Sequence, residues 1–178
     1  MGLKGYGDIS DTLPGIEGQR IRTTDDKLHS GVNAGTAPLP FGSPVQLGTN
    51  SGEVLEFLPI SDTIGGSRLF GVSVASYNDE IVAGVTQTVD GRSAYAPDRP
   101  MAVMSEGVVG VVVEEPVTPS DEVYYRYSAN TGTVLGRWRM DDDTDGTNAH
   151  AAQIANARFL RSSDAGEVVP LEIGVTIL

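Results

Sequence analysis

The densest run of side chains able to do chemistry is Asp141-Asp142-Asp143-Thr144-Asp145-Gly146, which opens like a calcium loop. Alternate carboxylates can converge on one hard cation there, and the glycine permits the sharp turn. The pattern then breaks. The twelfth position from Asp141 is Ala152, where a bidentate Glu belongs, and no strong helix pattern precedes Asp141. Asp141, Asp143 and Asp145 are therefore weak metal candidates, and a solvated acidic loop between two strands is the simpler reading. The two histidines, His29 and His150, are far apart and lack the i,i+4 partner of a metal-binding helix. No serine stands in a G-x-S-x-G elbow, and Gly65-Gly66-Ser67 departs from it. Glu114-Glu115 and Asp25-Asp26 are adjacent pairs, and adjacent residues on a strand point to opposite faces, so neither makes an acid–base dyad. Gly107-Val108-Val109-Gly110 has no third glycine in place and no helix after it, which removes a dinucleotide loop. The expectation is no catalytic residue, no cofactor and no enzyme.

The aromatic group Tyr124, Tyr125, Tyr127 and Trp138 carries the other signal. Strand alternation puts Val123, Tyr125 and Tyr127 on one face of Glu122–Tyr127, with Tyr124 and Arg126 on the other. On Thr133–Met140 it separates Val134, Gly136, Trp138 and Met140 from Leu135, Arg137 and Arg139. Core packing accounts for the first face. Tyr124, Arg126, Arg137 and Arg139 are expected as an outward patch, since Tyr and Arg are enriched at protein interfaces.

These residues need a scaffold, and composition narrows its kind. The chain has 178 residues and no cysteine, which excludes disulfides, thiolate metal sites and a cysteine nucleophile. Twelve Lys and Arg against 24 Asp and Glu give a formal charge of −12, and the pI is near 4.4. Such a surface repels phosphate backbones and anionic membrane, and the cations are scattered, so neither nucleic acid nor membrane is an expected partner. No apolar run reaches the roughly 20 residues of a membrane helix, and Met1–Tyr6 shows no signal-peptide core, so a soluble protein made in the cytoplasm without a Sec-type signal is expected.

Twenty-two glycines and ten prolines punctuate the chain, as short strands joined by turns require. Strands are expected at Val45–Leu47 and Glu53–Leu58, forming a hairpin, then at Leu69–Ala75, Ile81–Val89, Met101–Met104 and Val108–Val113. Further strands are expected at Glu122–Tyr127, Thr133–Met140, Ala157–Arg161 and Val168–Leu178. The valine run Val108–Val113 predicts burial on both faces. Helical signals are scarce, and the longest stretch tolerating a helical period is Asn148–Ala157, about three turns at best, with Ala149, Ala152 and Ile154 on one face. Residues 1–40 have turn formers and only isolated apolar residues, and read as an extended N-terminal arm without its own core. The fold class is all-β: a single β-sandwich or barrel, jelly-roll-like or a small barrel, over residues 41–178.

The order of segments resembles the structural cement, or capsid decoration, proteins of tailed bacteriophages. The residues that carry the resemblance are Pro38-Leu39-Pro40-Phe41-Gly42-Ser43-Pro44-Val45, Leu69–Ala75, Tyr95–Met104, Gly107–Val117, Val123–Tyr127, Gly136-Arg137-Trp138-Arg139 and Asn156–Leu160. The resemblance implies a protein on the outer surface of an assembled virion shell that bridges neighbouring major capsid subunits as a dimer or trimer, with no active site. The arm fits such a role by adding a strand to a neighbour's sheet edge, with Leu13, Ile16 and Ile21 filling small pockets. On that reading, removal of Met1–Pro40 leaves a folded core. Competing readings are another virion component, such as a head fibre base or tail tube subunit, and a calcium-dependent β-sandwich binding module.

Overall fold

The computed structural model describes residues 17–21, 26–49, 54–60, 69–75, 85–87, 91–128, 133–144 and 149–174. Among them there are fourteen strands and no helix. In chain order these are β1 (Arg20–Ile21), β2 (Lys27–Asn33), β3 (Leu39–Pro40), β4 (Pro44–Leu47), β5 (Leu55–Pro59), β6 (Gly71–Val74) and β7 (Val85–Gln87). They continue as β8 (Ser93–Tyr95), β9 (Pro100–Val112), β10 (Tyr124–Arg126), β11 (Trp138–Arg139), β12 (Ala151–Gln153), β13 (Ala157–Phe159) and β14 (Val168–Gly174).

Five of them close a barrel. β9 pairs with β2, β2 with β5, β5 with β4, β4 with β6, and β6 returns to β9. Closure leaves no free edge in this circuit, so every ladder has a partner on both sides. The β4–β5 pair is the antiparallel hairpin expected from the sequence. The thirteen-residue β9 is the spine. Its first half belongs to the barrel, and its second half pairs with β14 over Val168–Gly174 and with β1. The two separate strands expected at Met101–Met104 and Val108–Val113 are thus one. They join through Gly107 at φ 133°, where a Cβ would stand 2.6 Å from Asp26 Oδ1 and 2.8 Å from Met104 Sδ.

Two apolar clusters follow from the alternation. Val45, Phe57, Met101 and Val103, one or two from each of β4, β5 and β9, fill the barrel together with Leu39, Phe41, Phe70 and Tyr95. Val72, Val74 and Met104 point out of the barrel into the larger cluster, which contains Val109, Val111, Val169, Leu171, Phe159, Tyr125 and Trp138. The valine run is buried on both faces as its composition requires, Val108, Val109, Val111, Val112 and Val113 all being core residues.

Two expectations are corrected. The helical period at Asn148–Ala157 yields to sheet pairing: Ala151–Gln153 is β12, antiparallel to β10, and β13 begins at Ala157. Five alanines set a weak local preference that a waiting sheet edge overrides. The extended arm expected over residues 1–40 is corrected for the part that the structure describes. Lys27–Asn33 is a barrel strand lying between β9 and β5, and Leu39 is fully buried. Met1–Ile16 lie outside the described residues. Lys27–Asn33 looks unlike a core strand because it buries backbone more than apolar side chain. At Gly31 a Cβ would stand 2.6 Å from Phe57 Cε2 and would collide with the Leu55 carbonyl oxygen, so the barrel wall closes tightly only over glycine.

Candidate functional site

A second sheet, ordered β11-β10-β12, sits at the end of the spine. Its register places Tyr125 opposite Trp138 and Tyr124 opposite Arg139. Tyr125 and Trp138 face the larger core with their rings edge-on at 6.2 Å, and burial pushes the Tyr125 phenol up to about 12. Trp138 anchors the sheet twice over. Its indole Nε1 donates to the Gly42 carbonyl at 2.8 Å, and its own carbonyl accepts from the Glu114 amide at 2.9 Å. The barrel, the end of β9 and the small sheet are thereby held in one register.

By alternation, Arg126 and Arg139 lie on the opposite face from Tyr125 and Trp138. That face is covered. Arg126 is only 1% exposed and Arg139 only 6%, because carboxylates close over both guanidiniums. Arg126 donates from Nε to Glu114 at 2.9 and 3.0 Å and from Nη2 to Glu114 Oε1 at 2.6 Å, and Nη2 also meets Asp143 Oδ2 at 2.6 Å. Arg139 donates to the same Glu114 Oε1, reaches Asp141 through Nη2 and through Nε at 3.0 Å, and lies 3.4 Å from Glu115 Oε2. The outward patch expected from the sequence is thus corrected for these two residues: they form an internal cage. The alternation is right about the face, and the neighbouring acids decide its exposure. Tyr124 and Arg137 on the same face are half-buried.

The electrostatics are mutual. Burial acts to lower the Arg126 guanidinium, but hydrogen bonds and charge from Glu114 and Asp143 outweigh it, leaving it above its ordinary value. Arg139 is raised in the same way, burial being outweighed by Asp141, Glu115 and Glu114. The hydrogen bond from Arg126, reinforced by the charge of Arg139, holds Asp143 below the usual carboxylate range. Tyr124 is raised, chiefly because its hydroxyl donates to Glu122 Oε2 at 2.8 Å, with Asp142 and Asp141 adding negative charge nearby.

The acidic run that opened like a calcium loop is committed elsewhere. Asp141 Oδ1 accepts the Asp143 amide at 3.0 Å, Asp143 takes φ 47°, and the Asp142 carbonyl accepts the His150 and Ala151 amides. Asp141 and Asp143 each pair with a guanidinium, and Asp145 lies outside the described residues. Among the described residues no group of three or more His, Asp or Glu is arranged to hold a metal ion. The histidines contact hydroxyls: His29 Nε2 is 2.9 Å from Ser105 Oγ, and His150 Nδ1 is 3.2 Å from Ser128 Oγ. Beside the cage opens a cleft of about 500 Å3, lined by Glu114, Glu115, Asp143 and the guanidiniums of Arg126, Arg137 and Arg139 together with Thr133 and Val134.

Comparison with known proteins gives this barrel, with its ion-pair cage and cleft, a family. The profile of the family described as structural cement protein (E217 gp24/Pam3 gp6) matches residues 9–174. The chain belongs to this family. Among curated protein sequences none matches it. Among solved structures, the cement-family chain is similar to a chain of "The capsid of Myoviridae Phage XM1", with a TM-score of 0.63 and 16% identity over 100% of both chains. At that identity the likeness is one of fold.

Placed on this cement fold, the candidate residues divide between the N-terminal segment and the small sheet. Ile21 is half-buried in β1, opposite Val108 of its own β9. Leu13 and Ile16 lie outside the described residues. Tyr124, Arg126, Arg137 and Arg139 are brought together. Glu114 and Glu115 were missed as their partners. The chain leaves the β9 ladder at Val112 and bends, so strand alternation no longer separates the pair and both carboxylates reach Arg139. Pro116 right after them was the available signal, since it marks the end of the strand.

Proposed function

We propose that this chain decorates the outer surface of an assembled phage head, bridging neighbouring major capsid subunits and stabilising the shell without catalysis. It is made in the host cytoplasm and acts as a homo-oligomer, a dimer or trimer. The observation that carries this reading is the family match, which spans the barrel, the spine and the cage together. The physics of the fold agrees with such a role: a closed barrel keeps its shape without a ligand, and shallow contacts become strong when repeated across a lattice. The N-terminal residues, with Leu13 and Ile16, reach a neighbouring subunit as an added strand, while Ile21, Tyr124 and Arg137 border the contact.

The test is to mix the purified protein with expanded, undecorated heads and follow it through a sucrose gradient. Saturable co-sedimentation at a fixed ratio to the major capsid protein is expected. Rings or tubes formed by the protein alone, with heads left bare, would sink the reading and move the chain to the tail.

A further inference from the structure

Residues 17–21 form a strap laid across β9 just beyond the barrel. Gly18 is buried, its amide donating to the Gly110 carbonyl at 2.7 Å and its carbonyl accepting the Ala75 amide, just past β6, at 2.7 Å. The Gly110 amide donates in turn to the Gln19 carbonyl at 2.9 Å, and the strap runs on as β1 beside Val109 and Val108. These backbone bonds shape the strap. Its first residue is fastened by a side chain instead. Arg92, immediately before β8, donates to Glu17 Oε2 through Nε at 3.0 Å and to Oε1 through Nη2, while Nη2 also donates to Ser43 Oγ at 3.3 Å. The Arg92 side chain is 8% exposed and that of Glu17 15%, so solvent and salt reach this fork poorly. A two-bonded guanidinium and carboxylate fix geometry as well as adding energy. Here they fix the residue that directly follows Leu13 and Ile16 in the chain, the two side chains assigned to the neighbouring subunit.

Resting on the decoration reading, we infer that Arg92 is the positioning residue of the N-terminal arm: it holds Glu17 against the barrel and so fixes the root from which residues 1–16 engage a neighbouring subunit. A root already ordered in the free protein removes that part of the ordering cost from the binding step. A fixed root also keeps the arm concentrated near its contact once the body has touched the shell.

The first readout needs no heads. Hydrogen exchange of full-length protein, followed by mass spectrometry of peptides covering residues 17–21, reports how often the strap opens. Arg92→Ala and Glu17→Ala break the fork from its two ends, and each is expected to speed exchange there about tenfold. E17A alters the strap and no barrel strand, so it carries the test alone if a thermal melt shows that R92A does not fold. Pelleting with expanded, undecorated heads then measures retention, which is expected to weaken about tenfold in both variants. Arg158→Gln, which breaks an exposed ion pair with Glu172 on β13, is the control and is expected to match the unaltered protein in both readouts.

A double-mutant cycle with Leu13→Ser separates positioning from plain stabilisation: E17A is expected to add nothing once L13S has weakened the arm's own contact. An equal loss from E17A with and without L13S would show that the fork acts apart from the arm, and would overturn the inference. Unchanged exchange over residues 17–21 overturns it before any head is added. If exchange quickens but R92A and E17A stay on heads like the unaltered protein, the inference is overturned and decoration stands. If L13S alone binds normally, the arm contact and the inference fall together, with decoration by the body left standing. If the unaltered protein leaves heads bare, decoration and the inference both fall.

Discussion

At the scale of single residues, Glu114 is the hinge of the electrostatics, because one carboxylate oxygen serves two buried guanidiniums. Glu114→Ala leaves Arg126 and Arg139 with too few acceptors in a site that water scarcely reaches. The expected loss is about 3–5 kcal/mol, typical of breaking a buried pair from one side, read as a lower urea midpoint. Asp143 adds a pH response of definite sign. Its folded-state pKa lies below the unfolded one, so its contribution is full above the ordinary carboxylate range and disappears as pH falls through the lowered value. The arginines, being raised, stay charged throughout. Stability measured from about pH 5 down to pH 2 is therefore expected to fall more steeply in the unaltered protein than in D143N. Parallel curves for the two would show that Asp143 is not linked to folding.

At the scale of elements, β2 explains both what could be read from the sequence and what could not. Strands whose burial is written in side chains were legible: the valine run of β9, the β4–β5 hairpin and the strand around Gly71–Val74. β2 was not, because Gly31 and the fully buried Asn33 occupy the inward positions where apolar residues would be looked for. Asn33 works through its amide, donating from Nδ2 to the Tyr95 and Ala37 carbonyls and accepting the Gly35 amide at Oδ1. No periodicity reports that. Gly31→Val is expected to cost more than the usual 1–3 kcal/mol of an overpacked site, since backbone of β5 blocks the new side chain and cannot rotate away. A chemical-denaturation midpoint equal to that of the unaltered protein would contradict the tight wall described for the barrel.

At the scale of the whole molecule, the question is where the arm ends. Deleting Met1–Pro40 removes β1, β2 and β3 and opens the barrel, so an unfolded or aggregated product is expected, contrary to what composition alone suggested. Deleting only Met1–Ile16 preserves every strand described, and is expected to keep the melting transition while weakening retention on heads. Circular dichroism melts of the two truncations, followed by gradient sedimentation of the shorter one with heads, separate these outcomes. The site shows the same division as the fold. Which residues share a face was readable from alternation, whereas the cage depends on Glu114 and Glu115, which precede β10 and β11 by many residues and meet them only because β9 delivers them there.

The length of β9 also governs how the protein bears tension. A pull on the segment after Val113 runs along the strand axis, and β9 is laced to β14 at seven positions, to β2 at six and to β6 at three. Force along that axis loads these rungs in shear and all at once, instead of peeling them one by one. The two ladders lie on successive lengths of the same strand, so strain entering near the cage is spread into the barrel before any single rung fails. A clamp fastened at that end is strongest along the line of β9 and weakest to a load that peels β13, the last strand of its sheet, away from β14.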